Sequence, residues 1–587
     1  MRRLLPVPRE SLSLALAVSI AAPSLSCSRG VEPVPPPPGE LRLVVAREIL
    51  TMDDAMPSAD AMLVGSGRIL ELGTEARLRE AYPKAHRVDF GDAVILPGFI
   101  DSHVHLREFG ERLLRADLQG VESVDEMIER LRDKYPHPEP GEWLVGAGWD
   151  EGAWASRGYP DRAALDAAFP DNPVALHSLH GFAGFFNGAA LQAAGVGPDT
   201  PDPEGGQFLR RPDGRLSGVA LSLAQDRVEA QMPPLDLEAR RDAIRVAMDA
   251  LAEAGVTSVH EAGANAEDIE AFRSLAAESQ LPLRVALLVD ANDRTLAEQW
   301  LERGPTVLEG ERLRIAGFKI FFDGSLGSRT AWMHVPYHDA PRANDAVNAT
   351  LRTTPEWIET VMERSAEQRF VIAVHAIGDA ANDHVLEAWS RTATRSKPEA
   401  RLRLEHAQVV SPGFFERAAA LGVIASMQPS HAVGDSAWAE QRVGPQRIDL
   451  AYAWRSMLDA GVHLALNSDL PGEPWRPNET LYFAVQRAPL DAPEARWHPE
   501  QAIDVSQALR GMTAEGAYAA WREGDLGSLT PGKWADYVVL DHDPRRIPSE
   551  ELSRIEVLER AVAGETDGRF EARPLATLGP LPAAAPR

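Results

Sequence analysis

The chain has 587 residues, of which 44% are hydrophobic and 25% are charged, and its formal net charge is −27. This length exceeds what one ordinary hydrophobic core holds, so a globular protein with at least two structural units is expected. The acidic balance argues against a nucleic-acid-binding protein, because phosphate contacts require concentrated Lys and Arg.

Residues 1–27 predict an export signal. A basic start over residues 2–9 precedes an apolar segment over residues 11–22 and a small-residue segment that ends at Cys27. Cys27 stands where bacterial lipoprotein signals place the lipidated residue, although Ser24 occupies the position where such signals usually carry leucine. We expect export to the bacterial cell envelope, with a lipid anchor on the periplasmic side. The alternative is a plain cleaved signal with an incidental cysteine.

A proline-rich linker follows over residues 28–40, with four consecutive prolines that would form a stiff, extended spacer. Such a spacer is suited to holding a domain away from a membrane. Cys27 is the only cysteine, so no internal disulfide is expected.

Short β-like runs occur at both ends of the chain, over residues 41–95 and 526–570. We expect these two pieces to combine into one small β-sandwich domain. Residues 571–587 are rich in Pro and Ala and predict a loose tail.

Residues 96–525 alternate strand-like apolar runs with amphipathic helices, which is typical of an α/β fold. Eight βα units predict a (β/α)8 TIM-like barrel, with a long insertion at about 107–235 after the first strand. The helix that follows the insertion is expected to begin after Asp236 and to end at Gly255. The strand candidates are Phe99–His105, Thr257–Glu261, Leu283–Val289, Ile315–Phe322, Val371–Ala376, Leu402–His406, Val423–Gln428 and His463–Asp469.

The first strand candidate ends in two histidines, His103 and His105, within ILPGFIDSHVHL. Residues two apart in an extended segment point to the same face, so both imidazoles can reach one metal ion. Asp101 is expected on that face as well.

Barrel enzymes place their chemistry at the carboxyl ends of the strands. Four further polar residues fall at such ends or within an apolar strand, namely Lys319, His375, His406 and Asp469. Each has a structural alternative: the two histidines could be core residues bonded to backbone, Lys319 could pair with Asp323 or Glu405, and Asp469 could cap a helix. Because all six residues fall at strand ends that are expected to meet at one mouth of the barrel, a metal centre is the better interpretation.

The motifs LPGFIDSHVH, FKIFFDGSLGSRTA, VHAIGD, EHAQ and NSD occur in this order, followed by LGSLTPGKWADYVVLD near the end. With this set the chain resembles the amidohydrolase superfamily, and in particular the amidohydrolase-3 branch that includes N-substituted formamide deformylases. The resemblance extends from about Leu41 to Gly564.

The resemblance implies a metal-dependent hydrolase with one or two divalent ions, usually zinc. His103 and His105 would bind the first ion with Asp469, and His375 and His406 the second. Lys319, carboxylated by carbon dioxide, would bridge the two. A metal-bound hydroxide would then attack the carbonyl of a small amide or N-formyl substrate, with Asp469 as general acid and base for cleavage of the C–N bond.

Four residues are expected to contact the substrate. Ser325 and Arg329 follow the lysine strand, although Arg329 could instead pair with a neighbouring acid and stabilise the loop. Trp149 belongs to the insertion, which in the family covers the pocket. The family's Asp-Gly-His is replaced here by His-Gly-Phe ending at Phe182, which puts the usual substrate in doubt.

Two other functions remain open at this point. The same centre could hydrolyse an ester, a lactone or a carbamate, because hydroxide attack on a carbonyl is common to all of them. A barrel that binds a ligand without turning it over is the non-enzymatic alternative. The resemblance also allows a homodimer, although the residues carry no interface signal.

Overall fold

The computed structural model describes residues 40–150, 154, 159–178, 183–203, 206–308, 311–339, 351–395, 399–472 and 474–569. The predicted export signal with Cys27, the substrate candidate Phe182 and the predicted tail lie outside the described residues. The export and the lipid anchor therefore stay predictions.

The β-strands in chain order are β1 Arg42–Leu50, β2 Ser58–Gly65, β3 Arg68–Gly73, β4 His86–Asp89, β5 Val94–Pro97, β6 Phe99–Val104, β7 Ala116–Asp117, β8 Leu144–Trp149, β9 Val174–Ser178, β10 Ala183–Phe186, β11 Gly206–Arg210, β12 Leu216–Ser222, β13 Val256–Ala264, β14 Arg284–Asp290, β15 Thr306–Leu308, β16 Leu313–Phe321, β17 Val371–Ala376, β18 Arg401–His406, β19 Ile424–Met427, β20 His463–Leu466, β21 Tyr537–Leu540, β22 Val557–Val562 and β23 Glu565–Thr566.

The α-helices are α1 Glu75–Ala81, α2 Leu106–Leu114, α3 Val124–Lys134, α4 Ala163–Ala168, α5 Gly188–Ala193, α6 Leu223–Glu229, α7 Leu237–Glu253, α8 Ala266–Ala277, α9 Arg294–Arg303, α10 Pro355–Ser365, α11 Asp379–Arg395, α12 Phe414–Ala420, α13 Pro429–Asp435, α14 Ala439–Val443, α15 Trp454–Asp459, α16 Pro477–Gln486, α17 Val505–Gly511 and α18 Ala514–Tyr518. Among the helices of the described ranges, none has both the length and the apolar character needed to cross a membrane.

Eight parallel strands form a nearly closed barrel, in the spatial order β6, β13, β14, β16, β17, β18, β19 and β20. The spatial order equals the chain order, as expected for successive βα units. Val104 at the end of the first strand bridges Leu470 beyond the last one in parallel, which brings the two edges together. Each strand matches one of the eight predicted candidates, so the predicted barrel is confirmed.

The predicted long insertion after the first barrel strand is also confirmed. It contains a six-stranded sheet in the order β11-β12-β10-β9-β8-β7, and α2 and α7 lead away from the barrel and back to it. As predicted, Asp236 caps α7, its side chain accepting from the Ala239 N–H. The two helices pack closely at Gly110, where an added Cβ would lie 1.8 Å from the carbonyl oxygen of Ala243.

Strands from both chain ends share one sheet, in the order β23-β22-β21-β5-β1-β2-β3, with β4 beside β1. Its central junction is the antiparallel pairing of β5 with β21, in which Pro97 faces Tyr537. The structure has a single sheet here, so the description as a sandwich and the predicted domain boundaries stay predictions.

A buried ion pair connects the barrel to the start of β21. The Arg284 guanidinium donates to both carboxylate oxygens of Asp536, at 2.6 and 3.1 Å, and their side chains are 3% and 5% exposed. Asp536 also accepts the Ala563 N–H at 2.7 Å. The pair therefore holds β14 against the terminal sheet.

We expect Asp536→Ala to destabilise the protein by about 3–5 kcal/mol, because it leaves the Arg284 charge buried without a partner. The measurement is the midpoint of urea unfolding. Asp242→Ala is the matched control, since its pair with Arg245 has side chains that are 46% and 47% exposed, and exposed pairs contribute about 0–1 kcal/mol. Equal midpoints for the two variants would contradict the assigned role.

Candidate metal centre

A cavity of about 460 Å³ opens at the carboxyl ends of the barrel strands. This is the end at which barrel enzymes carry their chemistry. Five of the six predicted metal ligands line it, namely His105, Lys319, His375, His406 and Asp469. The sixth, His103, lies fully buried behind them.

The Asp469 carboxylate lies among the histidines. Its Oδ1 is 3.4 Å from His103 Nε2 and 3.3 Å from His105 Nε2, and its Oδ2 is 3.7 Å from His406 Nδ1. Asp469 has a φ of 53°, and its N–H donates to the His103 carbonyl at 3.0 Å. This left-handed turn beyond β20 brings the carboxylate back over the end of β6.

Burial alone would raise the pKa of Asp469, but His103, His105 and His406 hold it well below its usual range. Burial, together with the nearby Lys319, lowers the pKa of His103 to about 4 and that of His375 to about 3. The site near neutral pH therefore contains a carboxylate and neutral imidazoles, whose lone pairs can bind a metal ion.

Lys319 is fully buried in β16, with its Nζ 3.0 Å from His103 Nε2. Burial lowers its pKa to about 8. Neither alternative partner is hydrogen-bonded to it. Asp323 accepts the backbone N–H groups of Trp332, Ile377 and Gly378. Glu405 bonds to His103 and Arg403. Lys319 thus faces the histidines, as predicted.

His375 lies at the end of β17 and its ring is 4.6 Å, centroid to centroid, from that of His406. Its Nε2 donates to the Gly324 carbonyl at 3.0 Å and lies 3.6 Å from Asp323 Oδ1. This bond to a backbone carbonyl is what the alternative interpretation of His375, a core histidine bonded to backbone, expects. The ring is nevertheless in contact with the cluster.

A carboxylate behind the cluster orients His103. Glu405 Oε2 lies 2.5 Å from His103 Nδ1, and Arg403 donates to both oxygens of Glu405. Burial would raise the pKa of Glu405, but Arg403 and His103 hold it well below its usual range. Because Glu405 is ionised it must accept, so Nδ1 of His103 carries the proton and Nε2 presents its lone pair on the side of Lys319 and Asp469. A signal for this role existed: Glu405 directly precedes a candidate ligand within a strand.

His431 is a site residue that the sequence analysis missed. It lies on α13, just beyond β19, and its Nε2 is 3.6 Å from Asp469 Oδ2. Its ring stacks on that of His406 with centroids 5.9 Å apart and planes at 17°. The only sequence signal is its position shortly after the seventh strand, in MQPSHA.

Asp101 is not among the residues that line the cavity. Its carboxylate accepts the Ser468 hydroxyl at 2.6 Å and the Ser468 N–H at 3.1 Å. Asp101 thereby fixes the segment that precedes Asp469. The expectation that Asp101 lies on the face of the two histidines stays a prediction.

The expected substrate contacts have different outcomes. Ser325 lines the cavity, whereas Arg329 pairs with Asp339 at 2.6 Å and does not line it. Trp149 is wrong as a substrate contact: it is fully buried in the core of the insertion, and its indole N–H donates to the Leu176 carbonyl at 3.0 Å.

The donor atoms fit a metal ion. His103, His406 and Asp469 offer three ligand atoms that all lie within 4.8 Å of one another. Tetrahedral zinc with bonds of about 2.0–2.1 Å separates neighbouring ligand atoms by roughly 3.3 Å. The distances of 3.4 and 3.3 Å from Asp469 Oδ1 to His103 Nε2 and His105 Nε2 are close to that spacing. His406 Nδ1 donates to Gln428 Oε1 at 2.9 Å, so its Nε2 is the nitrogen left for a metal ion.

A second group of donors, formed by His105, Glu108 and Glu261, lies at the start of α2. Glu261 accepts the Leu106 N–H at 2.8 Å, and Glu108 pairs with Arg107. These bonds anchor the first turn of the helix, so the group needs no ion to account for it.

Comparison with known proteins also indicates an amidohydrolase. A family model described as "Amidohydrolase family" matches residues 87–566. The YtcJ amidohydrolase of Bacillus subtilis is 31% identical over 88% of this chain and 97% of its own length. The N-substituted formamide deformylase of Arthrobacter pascens is 30% identical over 89% and 97%.

Among solved structures, an uncharacterized metal-dependent hydrolase from Pyrococcus horikoshii matches with a TM-score of 0.73 and 26% identity, over 87% of this chain and 99% of that one. The family match covers most of the chain, including all six predicted ligands. The chain therefore belongs to the amidohydrolase family.

Proposed function

We propose that the protein is a zinc-dependent amidohydrolase that cleaves a C–N bond in an amide or N-formyl compound. The observation that carries this proposal is the approach of three histidine nitrogens to within 3.3–3.7 Å of the Asp469 carboxylate, at the wall of a cavity. The similarity to an N-substituted formamide deformylase supports the bond type.

In this proposal His103, His105 and Asp469 would hold one ion, and His375 and His406 would hold a second. Lys319 would serve as a further ligand if carboxylated, because a carbamate converts a buried cation into an anionic ligand. Bound zinc would supply a Lewis acid that polarises a carbonyl and lowers the pKa of water.

The chain's own residues would handle the proton. Asp469 is ionised and borders the cavity, so it can take a proton from the attacking water and pass it to the leaving nitrogen. Glu405 keeps the proton of His103 on Nδ1, and Arg403 keeps Glu405 ionised. These buried partners hold the ring in one orientation through the reaction.

An ester, lactone or carbamate hydrolase is the alternative, because the same residues serve attack on any carbonyl. A barrel that only binds its ligand is less well supported, since binding does not require an ionised carboxylate beside the cavity. A panel of amides and esters with the same acyl group separates these functions.

We expect prolonged chelation to abolish hydrolysis of activated amides and zinc to restore it, because the imidazoles and carboxylate alone polarise no carbonyl. The measurement is turnover together with metal content per chain. Full turnover in metal-free protein would overturn the metal-dependent reaction.

We expect Lys319→Ala to reduce kcat by at least about 100-fold, a loss typical of removing one electrostatic contributor. Added short-chain carboxylic acids should restore part of the activity, because they can replace the carbamate. Lys134→Ala is the control, since this lysine is exposed on α3, away from the cavity, and donates to the Leu113 carbonyl at 3.2 Å. Unchanged activity in the Lys319 variant would exclude it from the centre.

We expect Asp469→Asn to reduce kcat by about 100- to 10,000-fold, as for the loss of a general base. The amide oxygen can still act as a ligand, so metal content should remain close to that of the wild type. Metal analysis of the purified variant separates the two roles, and wild-type kcat in Asp469→Asn would rule out proton transfer by this residue.

A further inference from the structure

We propose that His431 is a positioning residue that directs the proton carried by Asp469 toward the leaving nitrogen of the substrate. This inference rests on the proposed function, in which Asp469 is the general acid and base. It adds a residue that neither the sequence motifs nor the predicted ligand set includes.

The two oxygens of Asp469 have different surroundings. Oδ1 faces His103 and His105, at 3.4 and 3.3 Å, whereas Oδ2 faces His406 and His431, at 3.7 and 3.6 Å. In the proposed function Oδ1 is thus the oxygen nearer the first metal position. Oδ2 is then the oxygen available for proton transfer, and His431 is its neighbour on the cavity wall.

The contacts of His431 define which of its nitrogens carries the proton. The side-chain amide nitrogen of Gln408 lies 3.3 Å from Nδ1 of His431, and an amide N–H can only donate. Nδ1 therefore accepts, and the ring hydrogen is on Nε2, which lies 3.6 Å from Asp469 Oδ2. Gln408 is itself 5% exposed, so its amide is held in place.

The ring is also fixed in orientation. It stacks on His406 with planes at 17°. The backbone N–H of His431 donates to the Gln428 carbonyl at 3.2 Å, which holds the main chain that carries the ring. A separation of 3.6 Å is long for a hydrogen bond, but contacts of this kind shorten when the substrate is bound. A small movement of either side chain would place Nε2–H on Oδ2.

This contact determines where the proton of Asp469 points. When Asp469 has taken a proton from the attacking water, Oδ2 is a hydroxyl whose lone pair accepts from Nε2–H of His431. Its own hydrogen must then point away from His431. Asp469 and His431 both line the cavity, so in this proposal the hydrogen is directed at the leaving nitrogen of a substrate bound there.

In the cleavage step the C–N bond breaks and its electron pair stays on nitrogen. The hydrogen on Oδ2 moves to that nitrogen, and Asp469 returns to a carboxylate. His431 keeps its own proton throughout. The products are a carboxylic acid and an amine, and water is the only co-reactant.

The test compares leaving groups that differ in their need for this proton. The probes are N-butylformamide, whose amine must be protonated to leave, and N-(4-nitrophenyl)formamide, whose aniline leaves readily. For the zinc-loaded His431→Leu variant we expect kcat to fall about 100-fold with the butyl compound, as for a lost proton transfer. With the nitrophenyl compound it should fall less than about 5-fold.

Two further variants keep the test informative if His431→Leu does not fold. Gln408→Glu replaces the amide donor with a carboxylate, which can only accept, so the ring proton of His431 should move to Nδ1. This variant should therefore lose activity with the butyl compound and not with the nitrophenyl compound, although the ring is still present. His431→Gln keeps an N–H donor and should recover part of the butyl activity. His463→Leu is the matched control, since this histidine begins β20 at the opposite end of the barrel and pairs with Glu515.

Metal content and thermal unfolding of each variant should match those of the wild type, and they are measured beside activity. Equal losses with both probes would assign His431 a structural role and overturn this inference, as would wild-type kcat with both. Wild-type protein that is fully metal-loaded and cleaves neither formamides nor activated amides would instead overturn the proposed function.

Discussion

Asp469 and Lys319 bring opposite charges into an interior where an isolated ion would be strongly disfavoured. Their burial is tolerated because imidazoles surround them, with Lys319 Nζ 3.0 Å from His103 and the Asp469 carboxylate 3.3–3.7 Å from four histidines. Lys319, Asp469 and the surrounding histidines therefore depend on one another for their polar contacts. The rim of the barrel is therefore a single polar unit, and the apolar strands below it hold this unit in shape.

Arg403 extends this unit into the barrel. It bonds Glu405, His260 Nδ1 at 3.0 Å, the Ser102 carbonyl at 2.6 Å and Ser426 Oγ at 3.1 Å. These residues belong to or adjoin strands one, two, six and seven. A buried guanidinium with so many acceptors fixes the relative position of those strands, which sets the spacing of the ligands they carry.

Much of this could be predicted from sequence because the barrel strands are long apolar runs with polar residues at their ends. The ligand candidates followed from that pattern and from ordered motifs. His431 could not be found in this way, because it lies on a short helix beyond β19 and its link to Gln408 depends on the folded chain. Trp149 was misplaced because an aromatic residue in the insertion could face either the cavity or the insertion's own core, and periodicity does not decide between them.

The pairing of β5 with β21 joins residues separated by about 440 positions. During synthesis, β1 to β5 leave the ribosome long before their neighbour exists, so the edge of β5 has unpaired N–H and C=O groups for most of translation. Exposed edges of this kind attract other chains. The completed chain closes that edge itself, and a nascent chain that stopped before β21 would present it to chaperones, proteases and other copies.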